Sequence, residues 1–113
     1  KKKKIKCRKF DSLNINIVPH FIKIDTEGYD EFVLKGLKNN IRRYKPIFLI
    51  EYNEEYYDNV RKILKNYVAF FYDIKKNKMV KLKKVIDPKK ISRISKDNYL
   101  SSRNIFFIPK RKK

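Results

Sequence analysis

The sequence predicts an α/β fold with an open sheet, and three observations carry that reading. Residues 21–25 alternate Ile22 and Ile24 with Lys23 and Asp25, break at Gly28, and resume with helical spacing through Phe32, Val33 and Leu37. That is a strand, a tight turn and a helix. Residues 46–52, PIFLIEY, are apolar on both faces, as a buried parallel strand is. Finally, the two units repeat one order: proline, apolar strand, carboxylate, helix. A right-handed crossover between parallel neighbours turns both strand exits the same way. Ligands of open α/β sheets bind beyond those carboxyl ends. Asp25, Glu27 and Glu51 are therefore expected on one rim.

Composition bounds the rest. At 113 residues the chain is one domain, and 42% hydrophobic content allows a core. The net charge is +19, mostly from Lys. Nucleic-acid sites favour Arg for its bidentate contacts, so the surplus reads as compositional. Eight of the twelve acids lie between Asp25 and Asp58, which leaves the remainder strongly basic. Cys7 is the only cysteine; no internal disulfide can form, and a reducing, cytoplasmic compartment fits. No apolar run has transmembrane length, and the polar start KKKKIKCRKF has no signal-peptide core. Residue 1 is Lys rather than Met, so the chain reads as a piece of a longer protein.

In chain order, residues 5–10 read as a solvated edge strand rather than a lipid-binding or import signal. Asp11 or Ser12 would cap a short helical turn over residues 13–17. Pro19 opens the first strand, where its missing N–H is tolerated. His20, the single histidine, reads as a packing or surface residue. Lys23 lies on the face of Asp25, and reads either as a side chain that snorkels past the sheet edge or as a charge partner for Asp25 and Glu27. Gly28 meets a positive φ or a close ligand approach. Asp30 and Glu31 suit the first turn of a helix whose stripe is Val33, Leu37 and Ile41, widened by Phe32, with Gly36 inside it. That helix ends near residues 42–44. Pro46 opens the second strand, residues 47–52, with Glu51 and Asn53 at its exit. Asn53 caps a helix over residues 54–66, with Tyr57, Val60, Leu64 and Tyr67 inward. A strand over residues 68–74, a hairpin turn at 75–78 and a return through 79–82 follow. Residues 83–103 form a polar connection, with room for a short helix near 89–95. NIFFI, residues 104–108, is the last strand.

The segment FIKIDTEGYDEFVLKGL with KPIFLIE resembles the FkbM family of S-adenosylmethionine-dependent methyltransferases. The family pattern K-I-D-x-E-G falls on Lys23, Ile24, Asp25, Glu27 and Gly28. Its later acid falls on Glu31 or Asp30, V-L-K-G on residues 33–36, and P-I-x-L-x-E on Pro46, Ile47, Leu49 and Glu51. FDSL, residues 10–13, is similar to a family segment that carries its acid onto Asp11, and NIFFIP to the family's last strand. The resemblance implies the C-terminal half of a class I, Rossmann-like methyltransferase sheet. The chain would supply strands 4, 5, 6 and 7, two helices between them, and an antiparallel terminal strand. It implies a single partial domain over residues 1–113, with basic tails at 1–4 and 109–113.

The implied cofactor is S-adenosyl-L-methionine, with most of its site outside this chain, since Gly28 and Gly36 are the only glycines. The fragment alone is expected to be inactive. The implied reaction is O-methylation of a hydroxyl on a small molecule or sugar. Asp25 and Glu27 are the catalytic candidates. Lys23, Gly28, Tyr29, Glu51 and Asn53 would bind the acceptor, and Asp11 and Asp25 the cofactor. No metal is expected. Partners would be the acceptor, the missing N-terminal half and, through an open strand edge, a second copy. Nucleic acid and a membrane span are not expected. The competing reading is an Mg²⁺-dependent nuclease built on Asp25, Glu27 and Glu51, or a basic nucleic-acid-binding module. Asn53 stands where a nuclease would place Lys.

Overall fold

The computed structural model describes residues 2–53, 55–73, 76–82 and 104–111. Five strands form one sheet, β1 (Phe21–Ile24), β2 (Ile47–Glu51), β3 (Tyr67–Asp73), β4 (Lys78–Lys81) and β5 (Asn104–Pro109). Their spatial order is β1-β2-β5-β3-β4. β1 and β2 are parallel, with Ile24 opposite Ile50. β5 runs antiparallel to both neighbours, β2 and β3. The terminal strand is therefore inserted into the sheet, antiparallel as expected. β4 returns from β3 as an antiparallel hairpin. The anticipated turn falls there, although Ile74 and Lys75 are outside the described residues, as is the short helix expected near 89–95.

Alternation sorts the strands into two faces. Ile24, Phe48, Ile50, Ile105, Phe107, Tyr67 and Ala69 are buried on one face, together with Leu34, Leu37, Tyr57, Val60 and Leu64 from the helices. Phe48 and Phe107 are opposite each other in the ladder and nearly inaccessible. The other face carries Leu49, Phe70 and Phe106, each half-buried.

Between β1 and β2 one helix was expected, and two are found: α1 (Asp30–Lys35) and α2 (Lys38–Tyr44). The break falls at Gly36 and Leu37. Gly36 is buried, and a Cβ there would lie 3.4 Å from the Lys9 Cβ. The Gly36 carbonyl accepts from the Asp11 N–H at 2.9 Å. The N-terminal segment thus enters at the one residue without a side chain. Leu34 is fully buried, while Phe32 is 55% exposed and lies against Lys35 instead of widening the stripe.

The second expected helix is shorter than predicted, α3 (Tyr57–Ile63), and Tyr67 belongs to β3. The helical turn predicted over 13–17 is displaced to a 3₁₀ turn, Phe10–Ser12, after which Leu13 is extended. Residues 5–9 form no strand. No helix among the described residues is long and apolar enough to cross a membrane.

Candidate functional site

The β1–α1 turn is built by a carboxylate folding back on its own chain. Asp30, 7% exposed, accepts hydrogen bonds from the Thr26 N–H at 3.2 Å and from the Thr26 hydroxyl. This closes residues 26–30 into a tight loop. Inside it Glu27 has φ 50° and Gly28 φ 108°. Glycine takes such a conformation freely; glutamate does so at a cost of about 1 kcal/mol. Asp25, Thr26 and Glu27 are exposed at the end of β1. Tyr29 is 67% exposed, with its ring 6.2 Å from Phe32. The Tyr56 ring stands over Gly28.

At the end of β2, Glu51 is exposed and Tyr52 is buried with its ring 5.2 Å from Tyr57. Asn53 starts the next turn: its Oδ1 accepts from the Glu55 N–H at 3.0 Å, and its carbonyl accepts from the N–H groups of Tyr56 and Tyr57. The expected cap at Asn53 therefore closes the turn leading into α3. Tyr56 resists ionisation, first because Glu55 is near and then because of burial.

Parallel register decides how the two exits relate. Ile24 and Ile50 are the last ladder partners, so Asp25 and Glu51 occupy the next positions of neighbouring strands and share a face. They leave the same border of the sheet. They do not, however, line one hollow. Glu51 and Asn53 meet Asp30, Tyr52, Tyr56 and Tyr57 around a cleft of about 10 Å³, room for roughly one water. Asp25 lies with Lys23 and Thr26 on a separate cavity of 200 Å³, walled by Phe10, Ile22, Ile24, Val33 and Leu37. α1 separates them: Asp30 at its head faces the inner cleft and Val33 the outer cavity.

Two other candidates find different roles. Lys23 is exposed and makes no ion pair within 4 Å among the described residues, where the ion pair is Lys35–Glu31, at 3.6 Å. Lys23 is therefore not the charge partner expected for Asp25 and Glu27. Asp11 is held away from the rim. Its carboxylate accepts from the Asn39 N–H at 2.7 Å, and from the Asn40 N–H and side-chain amide at 3.2 and 2.6 Å. It caps α2 rather than its own turn. Sequence reasoning treated Asp30 and Glu31 as helix-dipole residues, yet both are buried. Glu31 accepts from Asn59 at 3.3 Å and ties α1 to α3. The missed signal is the spacing of Thr26 and Asp30, which fits a side chain capping its own turn.

The residues present fit one wall of a sulfonium-cofactor site. Asp25 offers an exposed carboxylate beside an apolar cavity, but Gly28 is the only glycine at the rim, and Tyr56 covers it. Among the described residues no three acids, histidines or cysteines could hold a metal ion. The nuclease alternative thus has no ligand set here.

This five-stranded α/β sheet, with acids at adjacent parallel strand ends, is compatible with part of a methyltransferase fold. The family model described as Methyltransferase FkbM domain matches residues 1–71, and the chain belongs to this methyltransferase family. That match spans β1, α1, α2, β2, α3 and most of β3. Neither the curated proteins nor the solved structures contain a match to this chain.

Proposed function

We propose that this domain takes part in methyl transfer from S-adenosylmethionine to a hydroxyl of a small molecule or sugar, with Asp25 orienting and deprotonating the acceptor. The observation that carries this is the register that sets Asp25 and Glu51 side by side at the carboxyl border of β1 and β2. When bound, S-adenosylmethionine supplies a methyl group activated on a sulfonium. Asp25 and the apolar wall of Ile22, Ile24, Val33 and Leu37 would hold one side of it. Asp25 then has two uses on one edge: it favours positive charge nearby, and it accepts the proton that leaves the acceptor hydroxyl. Glu27 stands on a left-handed backbone that holds it out at the turn. Local strain of this kind gathers at functional sites. Tyr29 and Phe32, exposed on the same turn and helix, offer rings on which an acceptor's apolar face can stack.

In this reading β1, β2, β5 and β3 are strands 4, 5, 7 and 6 of a class I sheet. The remaining wall of the cofactor site comes from strands that pair on the outer edge of β1, which has one partner among the described residues. The test is Asp25→Asn in the full-length protein, with folding followed by circular dichroism and transfer followed with labelled S-adenosylmethionine. Loss of a hundredfold or more in turnover is expected. A folded variant with near-parental rates removes Asp25 from catalysis.

A further inference from the structure

A second hollow lies at the opposite border of the sheet. The ladder pairs Phe48 with Phe107 and Phe107 with Ala69, so Pro46, Pro109 and Tyr67 lie near one another at the amino end of β2. That border is about 16 Å from the Glu51 end. Beneath it opens a cavity of 540 Å³. Six cations line it: Lys38, Arg42, Lys45, Lys65, Lys110 and Arg111. No acid does. Its apolar part is Ile41, Ile63, Pro109 and Tyr67.

A lysine-rich composition accounts for many cations but not for their sorting. Among the described acids, Asp25, Glu27, Asp30, Glu31, Glu51 and Glu55 stand around the exits of β1 and β2, while Asp11 caps the start of α2 beside Lys38; no cavity cation has a carboxylate within 4 Å among the described residues. Helix termini do not account for them either. α2 and α3 both end near this cavity, and each contributes about half a negative charge. Six cations exceed that several-fold. Lys45 is fixed there by a left-handed backbone, φ 49°, as the C-cap of α2. The Tyr67 hydroxyl is buried and has no hydrogen-bond partner.

We propose that this cavity binds a soluble organic phosphate carrying several negative charges, of nucleotide size. Volume favours a small molecule over a duplex or a flat membrane surface, since small-molecule sites span about 300–1,000 Å³. Two guanidinium groups among the cations suit phosphate oxygens, which they bind in pairs. Ile41, Ile63 and the Tyr67 ring give an organic moiety something to rest on, which inorganic phosphate lacks. The site is remote from the β1 and β2 exits and does not depend on the methyl-transfer reading.

The experiment is calorimetric titration of ATP and of inorganic tripolyphosphate into the chain at 0.15 M salt. Phosphatidylglycerol vesicles and a DNA duplex serve as separate arms. Saturable one-to-one ATP binding is expected, at least fivefold tighter than tripolyphosphate. Lys38→Ala/Arg42→Ala/Lys65→Ala should weaken ATP at least tenfold. Lys6→Ala/Lys78→Ala/Lys81→Ala, with the same charge loss elsewhere, should change it less than twofold. Equal losses in the two triple variants would overturn the proposal, as would absence of saturable ATP binding, or tighter binding to vesicles or duplex that the cavity variant abolishes. Should the cavity triple variant lose its circular dichroism signal, the single exposed changes Lys38→Ala and Lys65→Ala carry the same comparison, each expected at twofold or more against none for Lys78→Ala.

Discussion

Asp11 and Asn40 are joined twice across 29 residues: the Asp11 carboxylate accepts from the Asn40 side-chain amide at 2.6 Å and from its backbone N–H at 3.2 Å. With the Asn39 N–H on the other oxygen, the start of α2 is capped by a residue far upstream. Burial acts to raise the Asp11 carboxyl, but these hydrogen bonds outweigh it and hold it below its ordinary 3.8. The folded state therefore binds this proton less readily than the unfolded chain. The resulting stability is present in full above about pH 4 and is lost as pH falls through the lower folded value. Asp11→Ala is expected to lower stability by about 1 kcal/mol in urea at pH 7. Asp11→Asn should flatten the acid limb of the stability profile, and an unchanged limb would mean the cap does not form.

Glu27 separates stability from function. Its φ of 50° is unfavourable for an L side chain. Glu27→Gly relieves roughly 1 kcal/mol of strain, offset by the flexibility glycine adds to the unfolded chain. The expected outcome is a melting temperature equal to or above the parent's with methyl transfer reduced in the full-length protein. Gly28→Ala is the reverse case. A Cβ would sit 3.5 Å from Tyr56, an ordinary contact, but at φ 108° the backbone resists it. A loss of about 1–3 kcal/mol is expected in chemical denaturation.

Tyr57 and Tyr67 both bury hydroxyls that have no hydrogen-bond partner. Burial pushes each phenol up to about 12; near Tyr57 it acts against the opposing pull of Arg61. The folded state thus keeps a proton that the unfolded chain loses near pH 10. Stability is complete below about pH 10 and falls as pH rises toward 12. Tyr57→Phe/Tyr67→Phe should be close to neutral at pH 7, since no bond is lost. It should also delay alkaline unfolding, read by circular dichroism. Identical alkaline midpoints would show that neither phenol is withheld from water.

Leu34 and Phe32 report the phase of α1. Leu34 is fully buried and Phe32 is 55% exposed. Leu34→Ala is expected to lose about 2–5 kcal/mol. Phe32→Ala should stay within about 0.5 kcal/mol in stability. The opposite ranking in urea titrations would overturn this orientation of α1.

β1 is an edge strand among the described residues, and Phe21 on it is 52% exposed. An unpaired strand edge of this kind invites further pairing. Sedimentation velocity of the 113-residue chain is expected to show species larger than a monomer, reduced by Phe21→Lys. A monodisperse monomer would count against an edge left for other strands.

The amino-acid sequence by itself determined the parallel β1–β2 pair, the hairpin, a last strand at residues 104–108 and the common border of Asp25 and Glu51, while the antiparallel direction of that last strand came from the family resemblance. Those features follow from local apolar alternation, prolines at strand starts and Gly28 at a turn, all of which are short-range. Only the tertiary structure decided that Gly36 interrupts the helix, because that depends on Lys9 and Asp11 packing there from upstream. The same long-range contact set Asp11 on the start of α2. Tertiary structure alone also divided Asp25 and Glu51 between two hollows and assembled six distant cations around a third. Register and packing decide which side chains meet, and neither can be read along a single strand or helix.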